Sequence, residues 1–186
     1  MGKYSNFGSR STDRFGFVSL NDPRTCAIPE EQMEKYQETL ELSDLPAIEG
    51  LAEPPLIVHC EPLRPDYDRL IPMLGLATSR ISAAREIFRN HVFGFDNADG
   101  DLLDVKVNNR TIGSKDLEKV DPLLITECAS AIVMRSSRGG DVPLPRTSLA
   151  TWRAMRTQLE RDGALNALIG VATSGVESTG TPDDLN

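Results

Sequence analysis

The stretch from Leu76 to Met134 constrains the fold most, because it predicts two amphipathic helices joined by a polar loop. The first helix should begin at Thr78 or Ser79 and end in the Asp- and Asn-rich run 96–101. Steps of three and four residues place its apolar side chains on one face: Ile81, Ala84, Phe88, Val92 and Phe95. Asp121 as N-cap and Pro122 at the first helical position begin the second helix. Two such helices must bury their apolar faces against a common partner.

Shorter elements surround this helix pair. Leu56–Cys60 is a β-rich run preceded by prolines and predicts a strand, and the alternating run 103–108 predicts a second one. Further helices are indicated after Pro29, over 66–74, over 114–120 and from Thr147 or Ser148 onward. The sequence therefore predicts an α+β fold, predominantly helical, in which amphipathic helices pack with one small β-sheet or hairpin.

Composition along the chain predicts four parts. Residues 1–27 lack a clear apolar period and should form a flexible N-terminal arm, unless their aromatic side chains order on a partner. Residues 28–136 should form the core α+β domain, and 147–173 a C-terminal helical segment. The Ser-, Thr-, Gly- and Asp-rich residues 174–186 should be a disordered tail.

Charge and cysteine content narrow the function classes. The formal net charge of −8 disfavours non-specific binding to nucleic acid or to anionic membranes. No apolar run approaches the roughly 20 residues of a membrane helix, and none near Met1 resembles a secretory signal. Three widely spaced cysteines fit reduced thiols better than a disulfide framework. These features predict a cytoplasmic protein that binds no nucleic acid and no membrane.

The segment from Glu30 to Glu53 has a local net charge close to that of the whole chain. It holds eight acidic residues against one basic residue, Lys35. The acids are Glu30, Glu31, Glu34, Glu38, Glu41, Asp44, Glu49 and Glu53. Two interpretations stay open: a solvated helix face, or an acidic surface that steers a basic partner.

The sequence contains no complete motif for metal binding, phosphate binding or catalysis. An EF-hand frame fixed on Gly100 puts Phe95 at the first ligand position and Lys106 at the twelfth, where an acid is required. The histidines and cysteines show no short metal-binding spacing. Residues 137–141 do not continue as a phosphate loop, and no nucleophile elbow occurs. We therefore expect no catalytic, cofactor-binding or metal-binding residues and no enzymatic activity.

The last helix offers a candidate surface for a protein partner. Four apolar residues recur there at helical spacing, and we call them the C-terminal stripe: Leu149, Trp152, Met155 and Leu159. Met adapts its shape and Trp supplies a large contact area, so both suit a partner-binding surface. The alternative is that the C-terminal stripe closes the protein's own core.

The order of elements over residues 54–136 resembles the tail assembly chaperones of long-tailed bacteriophages. A strand leading to Pro62-Leu63 is followed by a helical segment, a long amphipathic helix and a polar Asp99-Gly100 loop. A short capped helix then precedes Asp121-Pro122-Leu123-Leu124, which begins another helix. The Trp usual before the polar loop in that family is absent here, and Phe93 or Phe95 stands in its place.

The resemblance implies a small, mostly helical, non-enzymatic protein in the host cytoplasm. Such proteins keep the long tape measure protein soluble and help tail tube subunits gather on it. Two alternatives stay open: a structural virion protein of head, neck or tail, or a regulatory interaction protein with the same helical domain. A small enzyme is a third class, because catalytic residues need not form a motif.

Overall fold

One helix, α5 (Pro122–Arg135), occupies the centre of the computed structural model, which describes residues 14–108, 111–136 and 147–170. Every residue of α5 from Leu124 to Val133 is buried, because the helix carries apolar side chains on all its faces. Its predicted start is confirmed: Asp121 caps the helix by accepting a hydrogen bond from the Leu123 amide at 2.7 Å.

The remaining elements surround α5. The other helices are α1 (Glu30–Thr39), α2 (Ile71–Leu74), α3 (Arg80–His91), α4 (Ser114–Leu117), α6 (Leu149–Arg161) and α7 (Leu165–Ile169). Short 3-10 helices span Pro23–Ala27, Leu42–Asp44, Pro46–Gly50, Pro65–Leu70 and Gly100–Asp104. The strands are β1 (Phe15–Phe17), β2 (Ile57–Cys60), β3 (Val92–Asp96), β4 (Val107–Asn108) and β5 (Thr111–Ile112). The predicted α+β, predominantly helical class is confirmed.

The sheet is antiparallel in the order β1-β2-β3, and β4 pairs with β5 in a separate hairpin. Strand β2 is present where the sequence predicts it. It pairs with β1 and β3, however, and not with a strand at 103–108. Val58 and Cys60 of β2 point into the core, whereas Ile57 and His59 lie on the outer face. The outer face is tightly covered at Gly16, where a Cβ atom would lie 2.3 Å from Leu42 Cδ1.

The prediction for the first helix of the central pair is wrong about the residues at both ends of its apolar face, Ile81 at the start and Val92 and Phe95 at the end. Helix α3 ends at His91 and passes directly into β3, so Val92 and Phe95 belong to a strand. Ile81 is 56% exposed, because α3 buries the face formed by Ala83, Ala84, Ile87, Phe88 and His91 instead. The β-branched and aromatic residues around Gly94 favour the extended conformation over a last helical turn.

The predicted flexible arm is wrong for residues 14–27. Phe15 and Phe17 are buried in β1, and Val18 donates its amide to the Tyr36 hydroxyl oxygen at 2.7 Å. Asp22 then caps the 3-10 helix Pro23–Ala27. A short strand and one 3-10 turn carry no helical period, so their burial leaves little signal in the sequence. Residues 1–13 and the predicted tail 174–186 lie outside the described residues.

Much of the acidic segment 30–53 is paired with the protein's own cations. Arg153 of α6 forms ion pairs with Glu30 and Glu34, and Arg135 of α5 pairs with Glu41. These contacts hold α6 and α5 beside α1. Exposed ion pairs of this kind contribute little stability individually. The acids that they engage nevertheless face α5 and α6, so the segment is not only a solvated face.

His91 gives the fold a pH dependence. Its Nδ1 lies 2.9 Å from the Ile87 carbonyl oxygen, and its Nε2 accepts the Arg64 amide at 3.1 Å. This arrangement suits the neutral ring, with Tyr67 edge-on at 4.7 Å, and burial lowers the pKa of His91. Because the unfolded chain then binds a proton more readily, the stability that depends on neutral His91 should be fully present above about pH 6.5 and should fall as the pH drops below it.

Urea denaturation followed by circular dichroism between pH 7.5 and about 5 checks this prediction. The wild-type midpoint should fall across that window, and a His91→Gln variant should lose most of the fall. A matched His59→Gln variant, which leaves His91 in place, should keep it. Equal slopes in wild type and His91→Gln would contradict the assignment.

Candidate functional site

A groove of about 430 Å³ opens on the surface of the described residues. Five segments that are distant in sequence form it: the N-terminal segment around Asp22, the approach to β2, the turn after β3, the start of α5, and α7. Its apolar lining includes Leu56 before β2, Leu124 in α5 and Leu168 in α7. Leu123 lies at its edge and is 50% exposed. Leu56 and Leu124 are only 6% and 8% exposed, so the apolar surface that the groove offers to solvent comes chiefly from Leu123 and the partly buried Leu168.

An ion pair holds the groove in shape. Asp22 accepts hydrogen bonds from Arg24 at 2.8–3.1 Å and from the Leu56 amide at 2.9 Å. Arg24 also donates to the Asn97 carbonyl oxygen at 3.2 Å and lies 3.3 Å from Asp99. The hydrogen bonds to Asp22 raise the pKa of Arg24. The pair therefore joins the N-terminal segment to the chain before β2 and to the turn after β3.

The rim of the groove is acidic. Four carboxylates line it, those of Asp22, Glu53, Asp99 and Asp121. Arg24 is the one cation among the lining residues, and Asp22 and Asp99 already pair with it. A ligand that enters the groove thus meets an apolar surface bordered by net negative charge. This combination suits an apolar group that is flanked by cations.

A buried carboxylate anchors the wall behind the groove. Glu127 of α5 accepts hydrogen bonds from the Asn21 side-chain amide at 2.8 Å and from the Thr147 backbone amide at 2.9 Å. The hydroxyl groups of Ser19 and Thr147 donate to the same carboxylate. Ser19 and Asn21 also line the groove. Glu127 therefore fixes groove residues to the central helix, and it fixes the start of the C-terminal segment to the same point.

The C-terminal stripe is not the exposed surface that the sequence predicts. Trp152 is fully buried, and its indole Nε1 donates to Thr25 Oγ1 at 3.1 Å. Leu149, Met155 and Leu159 are partly buried and pack against the core. The helix start is nevertheless as predicted, since the Ser148 hydroxyl accepts the Thr151 amide at 3.2 Å. Thr25 and Arg24 share one 3-10 helix, so the stripe supports the groove from behind.

Other clusters of polar side chains in the described residues are weaker candidates for a functional site. His59 Nε2 lies 2.7 Å from Asp96 on the outer face of the sheet, beside the ring of Phe93. No nucleophilic side chain joins that pair among the contacts of the described residues. Nor does any group of three or more metal-ligating side chains occur in the ranges that the structure covers. A second cavity, of about 20 Å³ beside Glu127, has room for no more than a water molecule.

The sequence carries weak signals for the groove. Asp22-Pro23 and Asp121-Pro122 are both helix starts with an acidic cap, and both contribute to the rim. Only the second can be recognised from the sequence as a helix start, because the first lies in a stretch without an apolar period. Leu56 and Leu168 carry no signal that links them to either start, since only the tertiary fold brings them together.

No protein-family model matches this chain, and neither a curated protein nor a solved structure is significantly similar to it. None of the helices in the described residues combines the length and the apolar character needed to cross a lipid bilayer.

Proposed function

We propose that this protein is a non-enzymatic phage tail assembly chaperone that holds a helical segment of a partner protein in the groove. The observation that carries the proposal is the groove itself, in which the half-exposed Leu123 side chain lies beside the buried Leu56 and Leu124 side chains and within an acidic rim. The order of elements over residues 54–136, which resembles that chaperone family, supplies the kind of partner. The expected partners are a tape-measure-like protein and tail tube subunits.

The chemistry of the groove specifies the bound segment. A volume of about 430 Å³ lies within the usual range of binding pockets and accommodates a few apolar side chains rather than a whole helix face. The carboxylates of Glu53 and Asp121 are exposed at the rim. An amphipathic helix with Leu or Met anchors and neighbouring Lys or Arg residues complements both features. Such a helix exposes apolar surface in water, so shielding it keeps the partner soluble.

Exchange of Leu123 for Glu tests the groove. Leu123 is half-exposed, so the variant should keep the wild-type melting temperature. The new carboxylate would face the apolar anchor of the partner and should weaken binding by about tenfold or more. The measurement is titration calorimetry with the purified product of the long, helix-rich reading frame expected to follow this gene. Glu53→Lys should weaken binding as well and reduce its dependence on salt.

Matched controls use exposed residues elsewhere on the surface. Leu103 is 70% exposed and does not line the groove, so Leu103→Glu should bind as the wild type does. Glu118→Lys is the corresponding charge control. Equal weakening in groove and control variants would reject the groove as the binding site. If the wild type neither binds nor co-purifies with that partner, the chaperone proposal fails, and detection of the protein in purified particles would favour a structural virion role.

A further inference from the structure

Two cysteine thiols meet in the core at a point that the proposed function does not use. Cys60 Sγ of β2 and Cys128 Sγ of α5 lie 3.3 Å apart, and both residues are fully buried. Of the three cysteines, all of which lie in described residues, only these two have their sulfur atoms in contact. The contact joins the middle strand of the sheet to the central helix.

We propose that Cys60 and Cys128 form a site of reversible disulfide modification, which a low-molecular-weight disulfide such as oxidised glutathione oxidises when the core opens. The sulfur atoms must approach from 3.3 Å to the bond length of about 2.05 Å. Cys60 adjoins the register shift between His59 and Cys60 in the β2–β3 pairing. Backbone irregularity at that point gives the strand room to adjust.

The reaction is an ordinary thiol–disulfide exchange. The thiolate of one cysteine attacks oxidised glutathione, which forms a mixed disulfide and releases one glutathione thiolate. The second cysteine, as thiolate, attacks the protein sulfur of that mixed disulfide and releases the second glutathione. The protein loses two hydrogen atoms as two protons and two electrons, and the electrons reduce the oxidant to two glutathione thiols.

The native fold controls access to this reaction. Only the thiolate reacts, and burial raises the pKa of the Cys128 thiol. Both sulfur atoms are also shielded from an oxidant of peptide size. Oxidation therefore requires an opening that separates β2 from α5 for long enough to admit the oxidant, while the two cysteines remain close enough to pair.

The product would close a covalent loop between residues 68 positions apart. A cross-link of that length restricts the unfolded chain much more than the folded one. The oxidised protein should therefore resist denaturation more strongly than the reduced protein, provided that the native packing admits the bond. The redox state would then set the stability of the core.

The test incubates the full chain with oxidised glutathione in urea below the unfolding midpoint, blocks the remaining thiols and maps disulfides by mass spectrometry. The Cys60–Cys128 disulfide should dominate in the wild type and in a Cys26→Ala variant. Fully unfolded protein in high urea is the matched control. There the Cys26–Cys60 pair, which is closer in sequence, should gain at the expense of Cys60–Cys128, because shorter loops close more readily.

A second readout is the denaturation midpoint. It should rise on oxidation and return to the reduced value with dithiothreitol in the wild type and in Cys26→Ala, and it should not respond in Cys128→Ala. Three results would overturn the proposal: a predominance of Cys26-containing disulfides in low urea, glutathione adducts at Cys60 or Cys128 that do not resolve, or a lower midpoint after oxidation.

Discussion

Replacing Trp152 by Ala should destabilise the protein by about 3–5 kcal/mol, the usual cost of removing a large buried aromatic side chain. The indole is fully buried, and its loss also removes the hydrogen bond to Thr25 at 3.1 Å. Arg156, whose guanidinium lies 5.5 Å from the ring centroid, would lose that contact as well. Urea denaturation followed by circular dichroism measures the change in the free energy of unfolding.

The matched control is Leu103→Ala, which removes an apolar side chain that is 70% exposed and should change stability by less than about 0.5 kcal/mol. A Trp152→Ala variant with wild-type stability would mean that α6 does not pack on the 3-10 helix Pro23–Ala27. The C-terminal stripe would then become available again as a partner surface. Partner binding by Trp152→Ala should be measured only under conditions in which the variant is folded.

Helix starts were the most predictable part of this fold. Asp121-Pro122 and Ser148 mark α5 and α6 because a capping side chain acts within a few residues of the backbone groups that it satisfies. Local chemistry of this kind can be recognised from the sequence alone. The approximate position of β2 follows from similarly local signals, namely β-branched residues preceded by prolines.

The end of α3 could not be predicted in the same way. Val92 and Phe95 are three residues apart, a spacing that continues the helical face and also occurs in a short strand. Pairing with β2 decides between the two structures, and it places Val92 opposite Cys60 and Phe95 opposite Val58. That information lies in the tertiary fold. The burial of β1 has the same origin, because three residues are too few to show a period.

The candidate site was harder to predict than the fold. Periodicity identifies which face of α6 is apolar, but it does not say whether that face meets a partner or the protein itself. Here Thr25, far away in sequence, supplies the contact for Trp152. The groove likewise depends on tertiary contacts, since Asp22, Leu56 and Leu168 meet only when α7 packs against the 3-10 helix Pro23–Ala27.

The buried carboxylate of Glu127 explains how these distant segments are held together, and its removal should be the second large effect. Glu127→Ala removes the acceptor of the Thr147 backbone amide and of the Ser19 and Thr147 hydroxyls, whereas the Asn21 side-chain amide keeps the Thr147 hydroxyl oxygen as an acceptor. Hydrogen bonds to a charged group contribute more than neutral ones, and buried donors left unpaired carry a desolvation cost. We expect a loss of about 2–4 kcal/mol in the free energy of unfolding.

Glu118→Ala, at an exposed glutamate after α4, is the matched control and should stay within about 0.5 kcal/mol of the wild type. Denaturation curves of the two variants test this prediction, and equal stabilities would show that solvent satisfies the donors when Glu127 is absent.

The part of the chain that loses protection in Glu127→Ala is a second test. Because Glu127 holds Ser19 and Asn21 on one side and Thr147 on the other, hydrogen exchange in Glu127→Ala should rise first around β1 and the start of α6. A rise confined to α5 would instead mean that the carboxylate stabilises that helix alone and does not hold the two segments to it.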